Sequence, residues 1–133
     1  MSKPQGFSSE AWEVIQRKPD ARIIDVTAGN RYLWGKDKFR DNVIFTDKEP
    51  RLYYKPDLVS EWRDLPNHFP RDYFHCIIFD PPHIFSPTNR FNRNPSVLSN
   101  GSKGVPGWYG AFKNRRDAVN QIIDAQKAFT HLA

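Results

Sequence analysis

Hydrophobic residues in this chain come in short runs, and four of those runs stop at or beside an acid. They are Arg22-Ile23-Ile24-Asp25-Val26, Val43-Ile44-Phe45-Thr46-Asp47, Leu58-Val59-Ser60-Glu61-Trp62 and Cys76-Ile77-Ile78-Phe79-Asp80. Runs of this length, rich in β-branched and aromatic residues, predict strands. Cys76 to Phe79 has no polar face, the pattern of a strand buried on both sides of a parallel sheet. Pro81 and Pro82 end it, because neither has an N–H to give a ladder. Helical spacing appears twice. Ser8 or Ser9 can cap a short helix that carries Trp12, Val14 and Ile15 and ends near Pro19, with Trp12 in the core. From Ala111 to Leu132, Phe112, Val119, Ile122, Ile123 and Phe129 give a helical period in the second half. Strands alternating with helices predict an α/β fold with a parallel sheet.

In such sheets ligands bind at the carboxyl ends of the strands, which is where the acids fall. After Asp25, the small residues Thr27-Ala28-Gly29-Asn30 allow a tight turn, the outline of a nucleotide-cofactor loop. The dinucleotide pattern G-x-G-x-x-G is absent and Arg31 stands where a further glycine would, which disfavours a wrapped pyrophosphate. Asp47 can accept two hydrogen bonds from a ribose diol, or it can pair with Lys48 or solvate a turn; the preceding loop favours the diol. Glu61 can receive an adenine amino group while Trp62 covers the ring, with Asp64 as its rival for that bond.

Asp80-Pro81-Pro82-His83 has its own chemistry. A carboxylate and the carbonyls of two rigid rings form an acceptor cluster suited to an –NH₂ group, turning its lone pair toward an electrophile and stabilising developing positive charge. His83 can stack on a planar substrate or take the leaving proton. The alternative is a strand end followed by a proline turn, with Asp80 capping a helix.

A chain of 133 residues with 38% hydrophobic content supports one domain. One cysteine, Cys76, rules out an intrachain disulfide and speaks against a cysteine metal cluster. The four histidines, His68, His75, His83 and His131, lack zinc-site spacing. No stretch approaches the roughly 18 apolar residues that span a bilayer, and the N-terminus has no signal-peptide core, so a cytoplasmic protein without a membrane partner is expected. The net charge of +5 is concentrated locally. From Ile84 to Arg116 there are six cations, Arg90, Arg93, Lys103, Lys113, Arg115 and Arg116, and no acid. Phe91, Trp108 and Tyr109 are interleaved with Asn, Ser, Gly and Pro. A basic polar loop over 84–110, inserted after the Asp80 strand, can hold phosphates on Arg90 and Arg93 and stack bases on Trp108 and Tyr109. An ordinary solvated insertion is the alternative.

In order and spacing, Asp25-x-x-x-Gly29, Asp47 and Asp80-Pro81-Pro82-His83 resemble the motifs of class I S-adenosylmethionine-dependent methyltransferases, whose amino-methylating branch carries an Asp/Asn-Pro-Pro-aromatic signature. The chain more closely resembles a small phage- and prophage-type family with a DPPH motif, on Asp25-x-x-x-Gly29-x-Arg31-x-x-Trp34, Asp37-Lys38, the acid at Asp47, Asp80 to His83, and Tyr109-Gly110. The similarity runs from about Ile23 to the C-terminus and is weak between Lys48 and Phe69. It implies a Rossmann-like sheet of order 3-2-1-4, truncated after the fourth strand and its following helix, since the family continues into a further strand. The Asp80 strand would then be an exposed edge that a second copy or another partner covers.

The resemblance further implies S-adenosyl-L-methionine as cofactor. Asp25, Thr27, Ala28 and Gly29 would hold its methionine part, Asp47 its ribose, and Glu61 or Asp64 its adenine. Asp80, Pro81, Pro82 and His83 would be catalytic, and no metal is required. The expected activity is methylation of an amino nitrogen, foremost of a base in DNA or RNA. Two other classes are compatible with the sequence: a catalytically inactive protein of the same fold that binds nucleic acid or serves in assembly, and a nucleotide-dependent oxidoreductase, which the missing glycines disfavour.

Overall fold

The computed structural model describes residues 2–82, 96–97, 103–104 and 112–133. The first element shows how local chemistry sets a boundary. Ser8 is extended and its hydroxyl accepts the Ala11 N–H at 3.1 Å, so α1 begins immediately after it and spans Ser9–Arg17. Ala11, Val14 and Ile15 form its buried stripe, and Trp12 packs half-buried against Phe7 with ring centres 5.3 Å apart.

Four strands follow, β1 (Ile23–Asp25), β2 (Val43–Asp47), β3 (Leu58–Val59) and β4 (Cys76–Ile78). They make one sheet in the order β3-β2-β1-β4, with every pairing parallel. The molecule is therefore α/β, and its strand order is the expected one. β2 matches its predicted limits; β1 is one residue shorter at each end. The third strand was expected over Leu58–Trp62 but stops at Val59, because Trp62–Asn67 winds into a 3₁₀ segment that seats Leu65 in the core.

One burial expectation fails. Cys76 is exposed and Ile77 and Ile78 are only half-buried, so β4 is not a strand covered on both sides. The reason is topological: β4 pairs with β1 alone, and among the described residues no strand lies on its outer side. β2, flanked by strands on both sides, is buried at all five positions.

Side chains alternate across the sheet. Ile24, Ile44 and Ile77 face the helical side, where Phe7, Val14, Leu65, Phe69, Phe74 and Leu132 complete the main core. Ile23, Val43 and Phe45 face the other side, joined by Ala28 and half-buried Trp34. The same alternation places Asp25 and Asp47 on this second face.

A second helix, α2 (Arg115–Leu132), starts where the Asn114 side chain accepts the Asp117 N–H at 2.8 Å. It packs against the 62–67 segment, its buried residues are Ala118, Ala125, Ala128 and Leu132, and Phe129 meets Phe79 edge-on with centres 5.0 Å apart. Small residues thus make up most of its buried face. The apolar period read from the sequence is only partly the buried one: Phe112 is buried but precedes the helix, and Val119 and Ile123 stand on its open side. Between β4 and α2 the short strands β5 (Ser96–Val97) and β6 (Lys103–Gly104) pair antiparallel. Arg90, Arg93, Trp108, Tyr109 and His83, named from the sequence, lie outside the described residues. Among the described residues no helix is long and apolar enough to cross a membrane.

Candidate functional site

The parallel register brings the carboxyl ends of β1, β2 and β4 side by side. Ile24 lies between Ile44 and Ile77, and Asp25 between Phe45 and Ile78. The turn after β1 and the residues after β4 therefore leave the sheet as neighbours. Two bonds join them: the Val26 N–H donates to the Ile78 carbonyl at 3.0 Å, and the Asp80 N–H donates to Thr27 Oγ1 at 2.7 Å. Thr27, read from the sequence as part of the cofactor loop, is thus the post that holds the Asp80-Pro81-Pro82 segment against that loop. Asp80 is exposed at its end of the segment, with Pro81 and Pro82 half-buried beside it.

Asp25 is 1% exposed and hydrogen-bonded at both oxygens. Oδ1 accepts the Thr27 N–H at 3.0 Å, and Oδ2 accepts the indole N–H of Trp34 at 2.6 Å. Burial pushes this carboxyl above its ordinary range, the hydrogen bonds from Trp34 and Thr27 oppose the shift, and the charge of Asp47 adds to it. Asp25 therefore shapes the turn and anchors the indole.

Asp47 closes the turn from the other side. Its Oδ2 accepts the Gly29 N–H at 2.9 Å and its Oδ1 the Glu49 N–H at 2.9 Å. Gly29 itself has φ of 53°, a left-handed backbone suited to glycine, and the Ala28 N–H returns to the Thr46 carbonyl at 3.1 Å. The predicted residues Asp25, Thr27, Ala28, Gly29, Asp47 and Asp80 are consequently one bonded unit. Glu61 and Asp64 are exposed at the far side, after β3, and Glu61 is engaged by Arg63 at 3.1 Å. The Ser60 N–H, just before Glu61, donates to the Asp47 carbonyl at 2.9 Å.

Two residues carry more of this site than the sequence reading gave them. Arg31 is buried at φ 62°, a left-handed conformation unusual for a residue with a Cβ. Its guanidinium lies 4.0 Å from the centre of the Phe45 ring and donates to the carbonyls of Lys38 at 2.7 Å and Lys55 at 2.9 Å. Burial draws its pKa below the ordinary value, against the pull of Asp57, Asp25 and Tyr54. Arg31 is a brace where a phosphate-binding glycine would otherwise stand. Trp34 covers Phe45 edge-on at 5.5 Å while bonding Asp25. The signal for it was available in principle, since a buried indole N–H needs an acceptor and Asp25 is the acid at the adjoining strand end.

Asp57 was not singled out from the sequence. Its Oδ2 accepts the Phe45 N–H at 2.9 Å and the Lys18 ammonium at 2.8 Å, fixing the start of β3 against β2 and α1. This role is structural.

Asp47, Glu61, Asp64 and Asp80 stand at or just beyond the ends of β2, β3 and β4, with Lys48 and Arg63 among them and Arg63 paired to Glu61. The carboxylates of such a rim accept hydrogen bonds from hydroxyl and amino groups. Comparison of the chain with protein-family models, curated proteins and solved structures finds no match.

Proposed function

We propose that the chain is an S-adenosylmethionine-dependent methyltransferase acting on an amino nitrogen of a nucleic-acid base, built on a Rossmann-like sheet. One observation carries the reading: the Asp25–Gly29 turn, Asp47 and Asp80-Pro81-Pro82 form a single hydrogen-bonded unit at the carboxyl edge of a parallel 3-2-1-4 sheet. The donor and acceptor set fits this cofactor. A nucleoside with a ribose diol and an amino group offers donors that these carboxylates accept; a dinucleotide adds a pyrophosphate, for which the turn lacks the glycines.

The backbone of Ala28 and Gly29 and the carboxylate of Asp47 would hold the methionine and ribose parts, with Glu61 or Asp64 toward the adenine. Asp25 would act through the turn that it shapes. When bound, S-adenosylmethionine supplies a methyl carbon made electrophilic by the adjoining sulfonium. The Asp80 carboxylate and the Pro81 carbonyl accept hydrogen bonds from the target –NH₂, aim its lone pair and stabilise the positive charge that develops on nitrogen. Pro82 keeps the segment rigid, and His83 stacks on the base or receives the proton released from nitrogen. Arg90, Arg93, Trp108 and Tyr109 would hold the polymer around that base.

A second reading has an observation of its own. Asp25 and Asp47 already accept backbone and indole donors, as they would in a protein that kept this fold for nucleic-acid binding or assembly and lost the cofactor. Transfer of a labelled methyl group from S-adenosylmethionine to single-stranded and duplex oligonucleotides separates the two. We expect labelled amino groups with the wild type, and a loss of roughly 10²- to 10³-fold in turnover with Asp80→Ala at unchanged cofactor affinity. Absence of transfer to any nucleic acid, or wild-type turnover by Asp80→Ala, would defeat the proposal.

A further inference from the structure

The loops that follow β1 and β2 place a cluster of aromatic rings beside cations. Phe39 is 67% exposed and Tyr53 is 45% exposed, both high for side chains of this size. Tyr54 lies between them and meets each ring edge-on, with centres 5.6 Å and 4.9 Å away. The Lys38 ammonium stands 5.4 Å from the Tyr54 ring and 5.7 Å from the Phe39 ring. The stretches Lys36–Arg40 and Arg51–Lys55 hold five cations and one acid, a local charge of +4 in a chain of +5. Arg51 is taken up by neighbouring Glu49 at 2.6 Å. Among the described residues Lys36, Lys38, Arg40 and Lys55 form no ion pair with an acid.

These rings sit on a braced surface. The buried Arg31 guanidinium donates to the carbonyls of both Lys38 and Lys55, and the Tyr53 N–H donates to the Asn30 side chain at 2.7 Å. Both loops are thereby tied to the turn that follows β1. A platform ordered in advance loses little entropy when a ligand settles on it.

We infer that Phe39, Tyr53 and Tyr54, with Lys36, Lys38, Arg40 and Lys55, form a binding surface for single-stranded nucleic acid. Exposed rings offer π-faces to unstacked bases, and the surrounding ammonium and guanidinium groups meet the phosphates between them. A duplex, whose bases are already stacked, can use only the cations. The inference rests on the nucleic-acid half of the function proposed above and adds residues outside the 84–110 stretch of the sequence.

The test is fluorescence anisotropy with the full chain and labelled oligonucleotides, as single-stranded DNA, single-stranded RNA and duplexes of the same sequence, at several salt concentrations. Single strands are expected to bind more tightly than duplexes. Phe39→Ala and Tyr53→Ala should each weaken single-strand binding about five- to hundredfold with the salt dependence preserved, because stacking releases no counterions. Phe39→Leu keeps apolar bulk without a π-face and should bind as weakly as Phe39→Ala. Lys38→Gln and Lys55→Gln should instead flatten the salt dependence, by about one phosphate contact each. The inference is overturned if the wild type binds no single strand, if the Phe39→Ala/Tyr53→Ala double variant binds with wild-type affinity at an unchanged thermal midpoint, or if Phe39→Leu restores binding. A titration of the same samples with S-adenosylmethionine keeps the two readings apart. Oligonucleotide binding that the ring variants weaken, without cofactor binding, upholds this surface and defeats the methyltransferase; cofactor binding together with oligonucleotide binding that the ring variants leave unchanged defeats this surface alone.

Discussion

The two faces of the sheet are closed by different physics. On the helical face, Ile24, Ile44, Phe69, Leu65 and Leu132 are each fully buried among other apolar side chains contributed by α1, α2 and the 62–67 segment. On the opposite face, among the described residues, Ala28, Val43 and Phe45 form a smaller buried apolar group, and closure depends on Asp25, Asp47, Arg31 and Trp34 bonding to one another's loops. Apolar packing tolerates small shifts in geometry, whereas hydrogen bonds to a buried carboxylate fix direction. The difference puts stability on one face and a shaped, polar site on the other.

Truncation on the helical face should therefore produce the largest effect. Phe69 is fully buried and touches Phe7, Tyr73 and Phe74 through its ring. Phe69→Ala is expected to cost about 3–5 kcal/mol in urea unfolding, a large share of the ~5–15 kcal/mol that holds a domain together. A cost below about 1 kcal/mol would mean that this face is not the main core.

On the polar face the expected loss is smaller and specific to one pair. Asp25→Asn leaves the Thr27 N–H and the Trp34 indole N–H competing for a single carbonyl oxygen, and should cost about 1–3 kcal/mol. A double-mutant cycle with Trp34→Phe should return a coupling of about 0.5–3 kcal/mol. Strict additivity of the two losses would show that the 2.6 Å contact contributes nothing to closure.

The smallest effect is in the pH dependence, where two carboxylates act with opposite sign. Asp25, raised chiefly by burial, binds its proton more tightly folded than unfolded, so its contribution to stability declines as pH rises from the ordinary carboxylate pKa to its raised value. Asp117, lowered by the Lys113 N–H and by Gln121 at the start of α2, contributes above the ordinary carboxylate pKa and loses that contribution as pH falls through its depressed value. It is largely solvated, so its share is below about 1 kcal/mol. Unfolding free energies measured across the carboxylate range should show the declining component vanish in Asp25→Asn and persist in Asp117→Asn. The reverse assignment would contradict the burial argument.

Much of the sheet was legible in the sequence because each strand is a short apolar run stopped by an acid or prolines. Val43 to Asp47 could be bounded to the residue, since every position is buried in a strand paired on both sides. β4 misled for a definite reason: four apolar residues in succession look the same whether a second neighbouring strand is present or not, and Cys76 is exposed because its outer side is open. Trp62 was read as the end of a strand because its run is β-rich, yet the 3₁₀ segment wins by seating Leu65. The alanine face of α2 was invisible to a search for large apolar residues. At the site, the sequence named the acids but not their partners. That Asp25 serves Trp34, that Thr27 holds Asp80, and that Arg31 spans to Lys38 and Lys55 are tertiary facts that spacing alone does not carry.

What binds at the carboxyl edge, where Asp25, Asp47 and Asp80 are joined, decides the function. Isothermal titration of the full chain with S-adenosylmethionine, with its demethylated product and with NAD tests it most directly. The account predicts saturable binding of both S-adenosyl compounds and none of NAD, with Asp47→Ala weakening the S-adenosyl affinity by about 1–3 kcal/mol in a variant whose folding is verified by its thermal midpoint. No heat with either S-adenosyl compound, or NAD binding of equal strength, would contradict it.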